Sequence, residues 1–451
     1  MAGLFGLSVD QNHEKDFLET LFLGTFYLQH LGEEYCGLAT SDEIQIRIRT
    51  HRGLFWPSFS QDMGGLEGIA GIGYCGHARE PLLIDSRLGR LAFCFSGNIQ
   101  NLSELVGKLK RKGHFLERGD DVEVIAHLVC QGENLVNGIE KMNQRVKGAF
   151  VLLILTTQGE IYAVRSPDGH WPLVFGERDG MVAVASESNG FDNLKMNYFF
   201  DLKPGEIALL KNGEVRIEKS LPKKREQICS FLWVYTAFPN AVFEGIPASI
   251  VRKRLGAALA QADCQSGFWA DVVTPIPESG RYHAIGYYQW LCNIHTKDKP
   301  LPIYDELLLK YPFAGRSFTP LDPRERTKKA QIKILKSSER YTGLKVVVCD
   351  DSLVRGVQTR SEIVPKLKAI GFKEIHFRMS YPEIVSHCPW GKTTKEGEVI
   401  ANQIPSIEER VRFLQINSLR YNQITDLVEA IGLPSTKLCL DCLFPRREHH
   451  S

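Results

Sequence analysis

The sequence predicts two consecutive domains, a strand-rich α+β domain followed by an α/β domain built on a parallel sheet. A length of 451 residues favours two domains over one. In the first half, short apolar runs are separated by Gly, Asp and Pro, which is typical of sheets. In the second half, apolar strands alternate with helical segments, which is typical of a parallel sheet covered by helices.

Four segments of the first half have the composition of strands: LAFCFSG, GAFVLLILTT, EIYAVRS and MVAVASES. The segment DDVEVIAHLVCQG has a helical pattern, and its acidic start suits a helix N-terminus. The polar, basic run LPKKRE, residues 221–226, opens with proline and is predicted to link the two halves. The predicted domains are therefore residues 1–225 and 226–451.

The second half begins with helical periodicity over residues 249–262. DVVTPIP predicts a buried strand that ends at its prolines, and GLKVVVCDD predicts a second strand closed by acids. The helical segment RSEIVPKLKAIGF and the strand EIHFRMSYP follow. This strand–loop–helix–strand order indicates a parallel sheet.

Composition excludes several classes of protein. Apolar and charged contents of 43% and 24% are ordinary for a globular chain, and a formal charge of +2 gives no general attraction to nucleic acid or membranes. No apolar run reaches the roughly 18–20 residues of a membrane span, and the N-terminal segment lacks the pattern of a secretory signal. We expect a cytoplasmic protein whose 11 cysteines are not a disulfide scaffold.

The most informative segment is VVVCDDSLVRGVQTR, residues 346–360. Its strand brings Asp350 and Asp351 to the carboxyl end of the sheet, where open α/β sheets bind ligands. The turn that follows leads into a helix N-terminus, whose amides can hold a phosphate with the Thr359 hydroxyl. Adjacent carboxylates can accept hydrogen bonds from ribose hydroxyls or hold hydrated Mg²⁺. The combination indicates a site for a phosphorylated sugar; the alternative is two solvated acids before a helix cap.

This segment resembles the loop that binds phosphoribosyl diphosphate in phosphoribosyltransferases. In detail it is similar to the amidophosphoribosyltransferase family, whose version runs close to VVLVDDSIVRGTTSR. The resemblance covers nearly the whole chain: DVVTPIPESG matches V-x-P-x-P-D-S-G, with Glu278 in place of Asp. LKYPFAGRSF is similar to K-N-R-Y-x-G-R-T-F, with Pro312 in place of an Arg, and Gln331 replaces the Arg of an R-x-K-L element.

The resemblance implies an α/β type I phosphoribosyltransferase domain that uses Mg²⁺ and phosphoribosyl diphosphate. Asp350 and Asp351 would hold the ribose hydroxyls and the metal, with Ser279 near the metal. Three cations would neutralise the pyrophosphate: Lys310, Arg316 and Lys333. The residues expected to bind the 5′-phosphate are Ser352, Leu353, Val354, Arg355, Gly356, Val357, Gln358 and Thr359.

The first half resembles a class II glutamine amidotransferase, an α+β sandwich of the N-terminal-nucleophile type. GAFVLLILTTQGEIYAVRSPDGHWPL is similar to G-A-Y…L-Y-A-V-R-D-P-x-G-x-R-P-L, ASESNGFD to A-S-E-S/T-x-A-L-D, and LKPGEI to the P-G-E turn. The family's nucleophile is the Cys of Met-Cys-Gly-Ile-x-Gly, where this sequence has Ala2. Alanine has no thiol, so it cannot form a thioester with glutamine.

Further positions of the glutaminase pattern have also changed. Gly76 replaces the Arg that binds the glutamine carboxylate, and Ser96-Gly97 replaces the Asn-Gly oxyanion pair. Ser166 and Trp171 replace an Asp and an Arg, while Asp121 remains where the family binds the substrate amine. The loss of one oxyanion donor alone costs roughly 10² to 10³ in rate. The sequence therefore predicts an inactive glutaminase domain.

Four cysteines match the ligand positions of the iron–sulfur members of this family: Cys229, Cys388, Cys439 and Cys442. The C-x-x-C spacing alone is weak evidence. The resemblance implies that the four bind a [4Fe–4S] cluster with a structural role, since such clusters need four thiolates. Tetrahedral zinc or plain thiols would satisfy the same residues.

Three functions are compatible with these residues. The first is a transferase that forms phosphoribosylamine from free or partner-supplied ammonia, and the intact Asp350 and Asp351 place it first. The second is a transferase with another amine or base as acceptor. The third is a non-catalytic regulator of an active relative, which the losses at Pro312 and Gln331 favour. The resemblance also implies a homo-oligomer, a dimer or a tetramer.

Overall fold

The computed structural model describes residues 1–222, 224–310, 334–335, 339–391 and 397–445. The chain forms two compact units, one of Met1–Cys229 with Asn240–Gly245 and one of Ser230–Pro239 with Ile246–Ser451. A domain boundary after residue 225 stays a prediction. No helix in these ranges is long and apolar enough to cross a membrane.

The first unit is a sandwich of two antiparallel sheets. Its strands are β1 (Gly3–Val9), β2 (Tyr35–Ser41), β3 (Ile46–Arg52), β4 (Ala70–Gly76), β5 (Leu82–Ser86), β6 (Gly89–Ile99), β7 (Gly148–Thr156), β8 (Ile161–Arg165), β9 (Val174–Arg178), β10 (Met181–Ala185), β11 (Asn197–Asp201), β12 (Glu206–Lys211), β13 (Glu214–Ser220), β14 (Ile228–Cys229) and β15 (Val242–Phe243). Strands β1 to β13 form the sandwich. The seven-stranded sheet has the order β11-β9-β10-β1-β4-β2-β3, and the six-stranded sheet has the order β13-β12-β8-β7-β6-β5. The four strands expected from the apolar runs are confirmed as β6, β7, β8 and β10.

Helices cover the outer faces of this sandwich. They are α1 (Glu14–Phe26), α2 (Phe55–Phe59), α3 (Leu102–Arg111), α4 (Asp121–Val129) and α5 (Leu135–Asn143). Helix α4 is the one the sequence predicted, and Asp120 caps it by accepting a hydrogen bond from the Glu123 amide at 3.1 Å. Helix α1 lies on the seven-stranded sheet, where Gly24 leaves room for the ring of Phe5. The predicted α+β sandwich is confirmed.

The second unit is built on a five-stranded parallel sheet with the predicted α/β character. Its strands are β16 (Ile246–Pro247), β17 (Val272–Pro275), β18 (Ile303–Tyr304), β19 (Leu308–Leu309), β20 (Ile334–Leu335), β21 (Lys345–Asp350), β22 (Glu374–Met379), β23 (Ser418–Tyr421) and β24 (Leu438–Cys439). The parallel order is β18-β17-β21-β22-β23, and β19 pairs with β20 as a separate antiparallel ribbon. The three strands predicted for this half are β17, β21 and β22.

Helices cover both faces of the parallel sheet. They are α6 (Ala248–Gln265), α7 (Arg281–Ile294), α8 (Val364–Ala369), α9 (Ile400–Gln403), α10 (Ile407–Leu414) and α11 (Ile424–Ile431). Successive residues of β21 point to opposite faces. Val347 and Cys349 pack with residues of α6 and α7, whereas Val346 and Val348 pack with α8, α9 and α10. The sheet is therefore buried on both faces, and its strand ends are left as the place for polar chemistry.

Candidate functional site

The ends of β17 and β21 bring together four of the predicted site residues. The Ser279 hydroxyl donates a hydrogen bond to Asp350 Oδ1 at 2.7 Å, and the Asp351 amide donates to the same oxygen at 2.9 Å. The Ser352 hydroxyl donates to Asp351 Oδ2 at 2.5 Å. Burial raises the pKa of Asp351, and hydrogen bonds from its neighbours oppose that rise. A bound cation or hydroxyl-rich ligand would offset the cost of burying this carboxylate.

The turn that carries Ser279 is held against the end of β21. The Ile276 amide donates to the Cys349 carbonyl at 2.9 Å, and the Gly280 amide donates to the Ile276 carbonyl at 2.8 Å. A Cβ atom on residue 280 would lie 2.1 Å from the Cys349 oxygen, so this close approach requires glycine. The turn therefore fixes the distance between Ser279 and the two carboxylates.

The segment predicted to bind the 5′-phosphate follows as an irregular turn. Leu353 is buried in the core, so only its backbone can face a ligand, while Val357 is exposed. The Ile400 amide donates to the Val354 carbonyl at 2.7 Å, and Gly356 has a positive φ of 69°. A π-helical turn then begins at Thr359 and leads directly into α8. The expected turn before a helix is present, and its role in phosphate binding stays a prediction.

The cations predicted to neutralise pyrophosphate are described only in part. Lys310 is half-buried directly after β19. Arg316 and Lys333 lie outside the described residues, as do Pro312 and Gln331.

Sequence reasoning missed a charged cluster beside Ser279. Arg281, the first residue of α7, donates from Nε and Nη2 to the two carboxylate oxygens of Glu306 at 2.8 and 3.0 Å. Its Nη1 forms an ion pair with Glu278 Oε2 at 2.5 Å. An arginine at the start of a helix opposes the helix dipole, and this local conflict is the signal that could have drawn attention to it.

In the first unit, Ala2 lies buried where the glutaminase nucleophile was expected. Its amide donates to the Ser96 hydroxyl at 2.8 Å, and the Ser186 hydroxyl donates to its carbonyl at 3.3 Å. Asp121 is also buried, and its Oδ1 accepts a hydrogen bond from the Ile99 amide at 3.0 Å. Two of the expected glutaminase positions, Ser96 and Asp121, are thus engaged in internal hydrogen bonds.

Tyr74 occupies the space beside Gly76. A Cβ atom on residue 76 would lie 2.1 Å from the Tyr74 hydroxyl oxygen and 2.8 Å from the Cβ of Ala2. Tyr74 is buried, and its hydroxyl accepts a hydrogen bond from the Ala78 amide at 3.2 Å. Burial raises the pKa of Tyr74 well above its usual value, so the phenol is neutral. A Cβ atom at position 76, and with it any larger side chain, would overlap this ring unless Tyr74 shifts.

Two further glutaminase positions, Ser166 and Trp171, are buried as well. The Ser166 hydroxyl donates to Asp168 Oδ1 at 3.0 Å, within the same turn. At Gly97, an added Cβ would lie 2.4 Å from the Ala149 oxygen, so β6 approaches β7 too closely for a larger residue.

Replacing Gly76 by Ala is expected to destabilise the first unit by about 1–3 kcal/mol, because the new methyl group overlaps the Tyr74 ring. Combining G76A with Tyr74→Val should recover part of that loss, because the smaller side chain removes the overlap. Gly64→Ala is the matched control, since nothing lies within 4 Å of its added Cβ. Chemical denaturation measures all of these variants, and equal losses with and without Tyr74 would contradict the steric explanation.

The four candidate ligand cysteines are free thiols placed in both units. Cys229 belongs to the first unit, where its amide donates to the His170 carbonyl at 3.2 Å. In the second unit, Tyr381 Oη lies 3.4 Å from Cys442 Sγ, and burial raises the pKa of Cys442 to about 12. Burial also raises the pKa of Cys388, against hydrogen bonds from the Trp390 and Gly391 amides.

The fit of these cysteines to a metal is incomplete. Thiolate sulfurs that accept N–H and O–H hydrogen bonds are the donors that iron–sulfur clusters use. However, across the described ranges no group of three or more His, Cys, Asp or Glu side chains is close enough to hold a metal ion. Protein contacts hold the C-terminal segment without one: the Val385 and Ser386 amides donate to the Cys442 carbonyl at 2.9 and 3.1 Å.

These two units define a protein with an N-terminal glutamine amidotransferase domain followed by a phosphoribosyltransferase domain. A family model described as a glutamine amidotransferase domain matches residues 73–193. The amidophosphoribosyltransferase of Archaeoglobus fulgidus is 31% identical over 94% of this chain and 93% of its own length, and that of Methanocaldococcus jannaschii is 31% identical over 98% and 96%. The chain belongs to the amidophosphoribosyltransferase family.

A solved structure supports the same assignment. The glutamine phosphoribosylpyrophosphate amidotransferase from B. subtilis, complexed with ADP and GMP, is 29% identical to this chain. Its TM-score is 0.84, over 98% of this chain and 96% of that one. The predicted order of an amidotransferase-like sandwich and a phosphoribosyltransferase domain is confirmed.

Proposed function

We propose that this protein transfers the phosphoribosyl group of phosphoribosyl diphosphate to ammonia, with release of pyrophosphate, in purine nucleotide synthesis. The observation that carries the proposal is the arrangement at the end of β21, where Ser279 and the Asp351 amide orient Asp350 beside the turn proposed to bind the 5′-phosphate. Family membership supplies the substrate class. Ammonia would come from solution or from a partner protein, since we also propose that the glutaminase unit is inactive.

The two carboxylates suit Mg²⁺, which protein sites commonly hold through one or two carboxylates together with substrate phosphates. When bound, Mg²⁺ would supply charge neutralisation to the departing pyrophosphate. Asp350 and Asp351 would bind the ribose hydroxyls and help hold the ion, with Ser279 orienting Asp350. The backbone of residues 352–359 would bind the 5′-phosphate and so place the anomeric carbon for attack.

The inactive glutaminase rests on more than the missing thiol at Ala2. The Tyr74 side chain also overlaps the position that the Cβ of an arginine at residue 76 would take, so it opposes an arginine that would bind the glutamine carboxylate there. Ser96 lacks the side-chain amide that the family's Asn offers to an oxyanion, and its hydroxyl accepts a hydrogen bond from the Ala2 amide. A single Ala2→Cys substitution is therefore not expected to create glutamine-dependent activity.

By resemblance to the iron–sulfur members of the family, we further propose a structural [4Fe–4S] cluster on Cys229, Cys388, Cys439 and Cys442. Anaerobic purification followed by iron and sulfide analysis tests it. About four irons and four sulfides per chain, lost in Cys388→Ser, would support the cluster. Stoichiometric zinc, or no metal, would refute it. We also propose a homo-oligomer, a dimer or a tetramer, by resemblance to the family, and a cytoplasmic location from the sequence pattern.

The central experiment is anaerobic pyrophosphate release from phosphoribosyl diphosphate and Mg²⁺, with glutamine and ammonium chloride supplied in separate reactions. We expect release with ammonium and none above background with glutamine. Release with glutamine would refute the inactive glutaminase. No release with either, from a folded protein that still binds the substrate, would favour another acceptor or a non-catalytic regulator.

A further inference from the structure

Arg281, at the start of α7, is not among the residues assigned above to the proposed reaction. Arg281 is held by two acids from different places in the chain: Glu278 in the Ser279 turn, and Glu306 two residues after β18. A bidentate arginine–carboxylate pair fixes direction as well as distance. The guanidinium therefore joins the turn after β17 to the segment after β18, at the carboxyl end of two neighbouring strands.

We propose that Arg281 is a positioning residue for the Mg²⁺ and phosphoribosyl diphosphate site, an inference that rests on the proposed function. Glu278 directly precedes Ser279, whose hydroxyl donates to Asp350. By holding Glu278 against Glu306, Arg281 restricts the turn and keeps that hydroxyl pointing at the carboxylate. The hydrogen bond from the Gly280 amide to the Ile276 carbonyl stabilises the turn internally. The ion pairs of Arg281 connect the turn to the segment after β18.

Charge favours positioning over direct contact with pyrophosphate. One guanidinium faces two carboxylates, so the cluster of Glu278, Arg281 and Glu306 carries a net charge of about −1. A pyrophosphate-binding arginine would need free donors, whereas Nε, Nη1 and Nη2 of Arg281 all face these acids. Partly exposed ion pairs of this kind contribute little to overall stability, and the Arg281 side chain is 38% exposed. We therefore expect replacement of Arg281 to change ligand binding at the site rather than overall stability.

The test measures calorimetric binding of phosphoribosyl diphosphate with Mg²⁺ to the full chain and to three variants. Arg281→Met and Glu306→Gln should each weaken binding about tenfold, the lower end of the range for residues that orient metal ligands. Arg340→Met is the matched control, because Arg340 pairs at 3.1 Å with Asp305, next to Glu306, whereas Glu278 and Glu306 pair with Arg281. Its affinity should match that of the unmodified protein.

A second readout needs no ligand. Hydrogen exchange of the peptide covering residues 276–281 should accelerate in Arg281→Met and Glu306→Gln but not in Arg340→Met, with the melting temperature unchanged. Unchanged affinity in Arg281→Met would overturn the inference. Tighter binding in Glu306→Gln would also overturn it, because that result would mean that Arg281, no longer paired with Glu306, contacts the pyrophosphate directly. An unmodified protein that binds no phosphoribosyl diphosphate would refute the proposed function, and this inference with it.

Discussion

Asparagine at position 350 or 351 is expected to lower ammonium-dependent pyrophosphate release by at least about 10²-fold. Each change keeps the shape of the side chain and removes one of the two charges that would bind the ribose and Mg²⁺. Losses of this size are typical when an oriented electrostatic group is removed from a site that excludes water. Initial rates at saturating Mg²⁺ and ammonium chloride measure the effect.

The stability of these variants separates a lost function from a lost fold. Asp351 is only 6% exposed, and burial raises the pKa of its carboxyl. Because a buried charge is costly, Asp351→Asn should melt at the same temperature as the unmodified protein or higher. Asp271→Asn is the matched control, since Asp271 lies at the amino end of β17, at the opposite end of the strands from the site, and accepts the Lys345 amide at 2.8 Å. It should retain full activity, and equal loss in the control would contradict the assigned roles.

The strands that position the site could be predicted from the sequence. Uninterrupted apolar runs of the β21 type, closed by acids or prolines, have few alternatives in an α/β domain. The pair Asp350 and Asp351 could be placed because it directly follows such a strand. That Ser279 lies near the proposed metal site was expected only by resemblance, since 71 residues separate Ser279 from Asp350, and its hydrogen bond to Asp350 was not predicted.

One helix and two side-chain contacts could not be predicted from the sequence. The charged residues of helix α1 all lie within residues 14–19, whereas its later turns are largely apolar: Leu21 is buried, and Phe22 and Phe26 are half-buried. Because these later turns have no charged face, their pattern does not show the usual helical alternation. The Arg281–Glu306 pair and the Tyr74 ring beside Gly76 depend on side-chain directions, which residue spacing does not determine. The sequence therefore predicted which glutaminase positions depart from the family pattern, but not which side chains lie beside them.

The second large effect is expected at Asp263, which lies in the core of the second unit. Asp263 is fully buried on α6 and binds groups from three other elements. Its Oδ2 accepts from Arg378 Nε on β22 at 2.5 Å and from the Tyr287 hydroxyl on α7 at 2.6 Å. Its Oδ1 forms an ion pair with Arg420 on β23 at 3.0 Å. One carboxylate thus connects two helices to two strands of the parallel sheet.

Replacing Asp263 by Ala is expected to reduce the free energy of unfolding by about 3–5 kcal/mol, because Arg378 is left buried without its partner. The double variant D263A/R378M should be more stable than D263A, since the uncompensated charge is removed as well. Asp85→Ala, which breaks an exposed ion pair with Arg90, is the control and should change stability little. Urea denaturation measures the loss, and hydrogen exchange at β22 assigns it to the second unit. If the double variant were no more stable than D263A, the loss would come from the cavity rather than from the stranded charge.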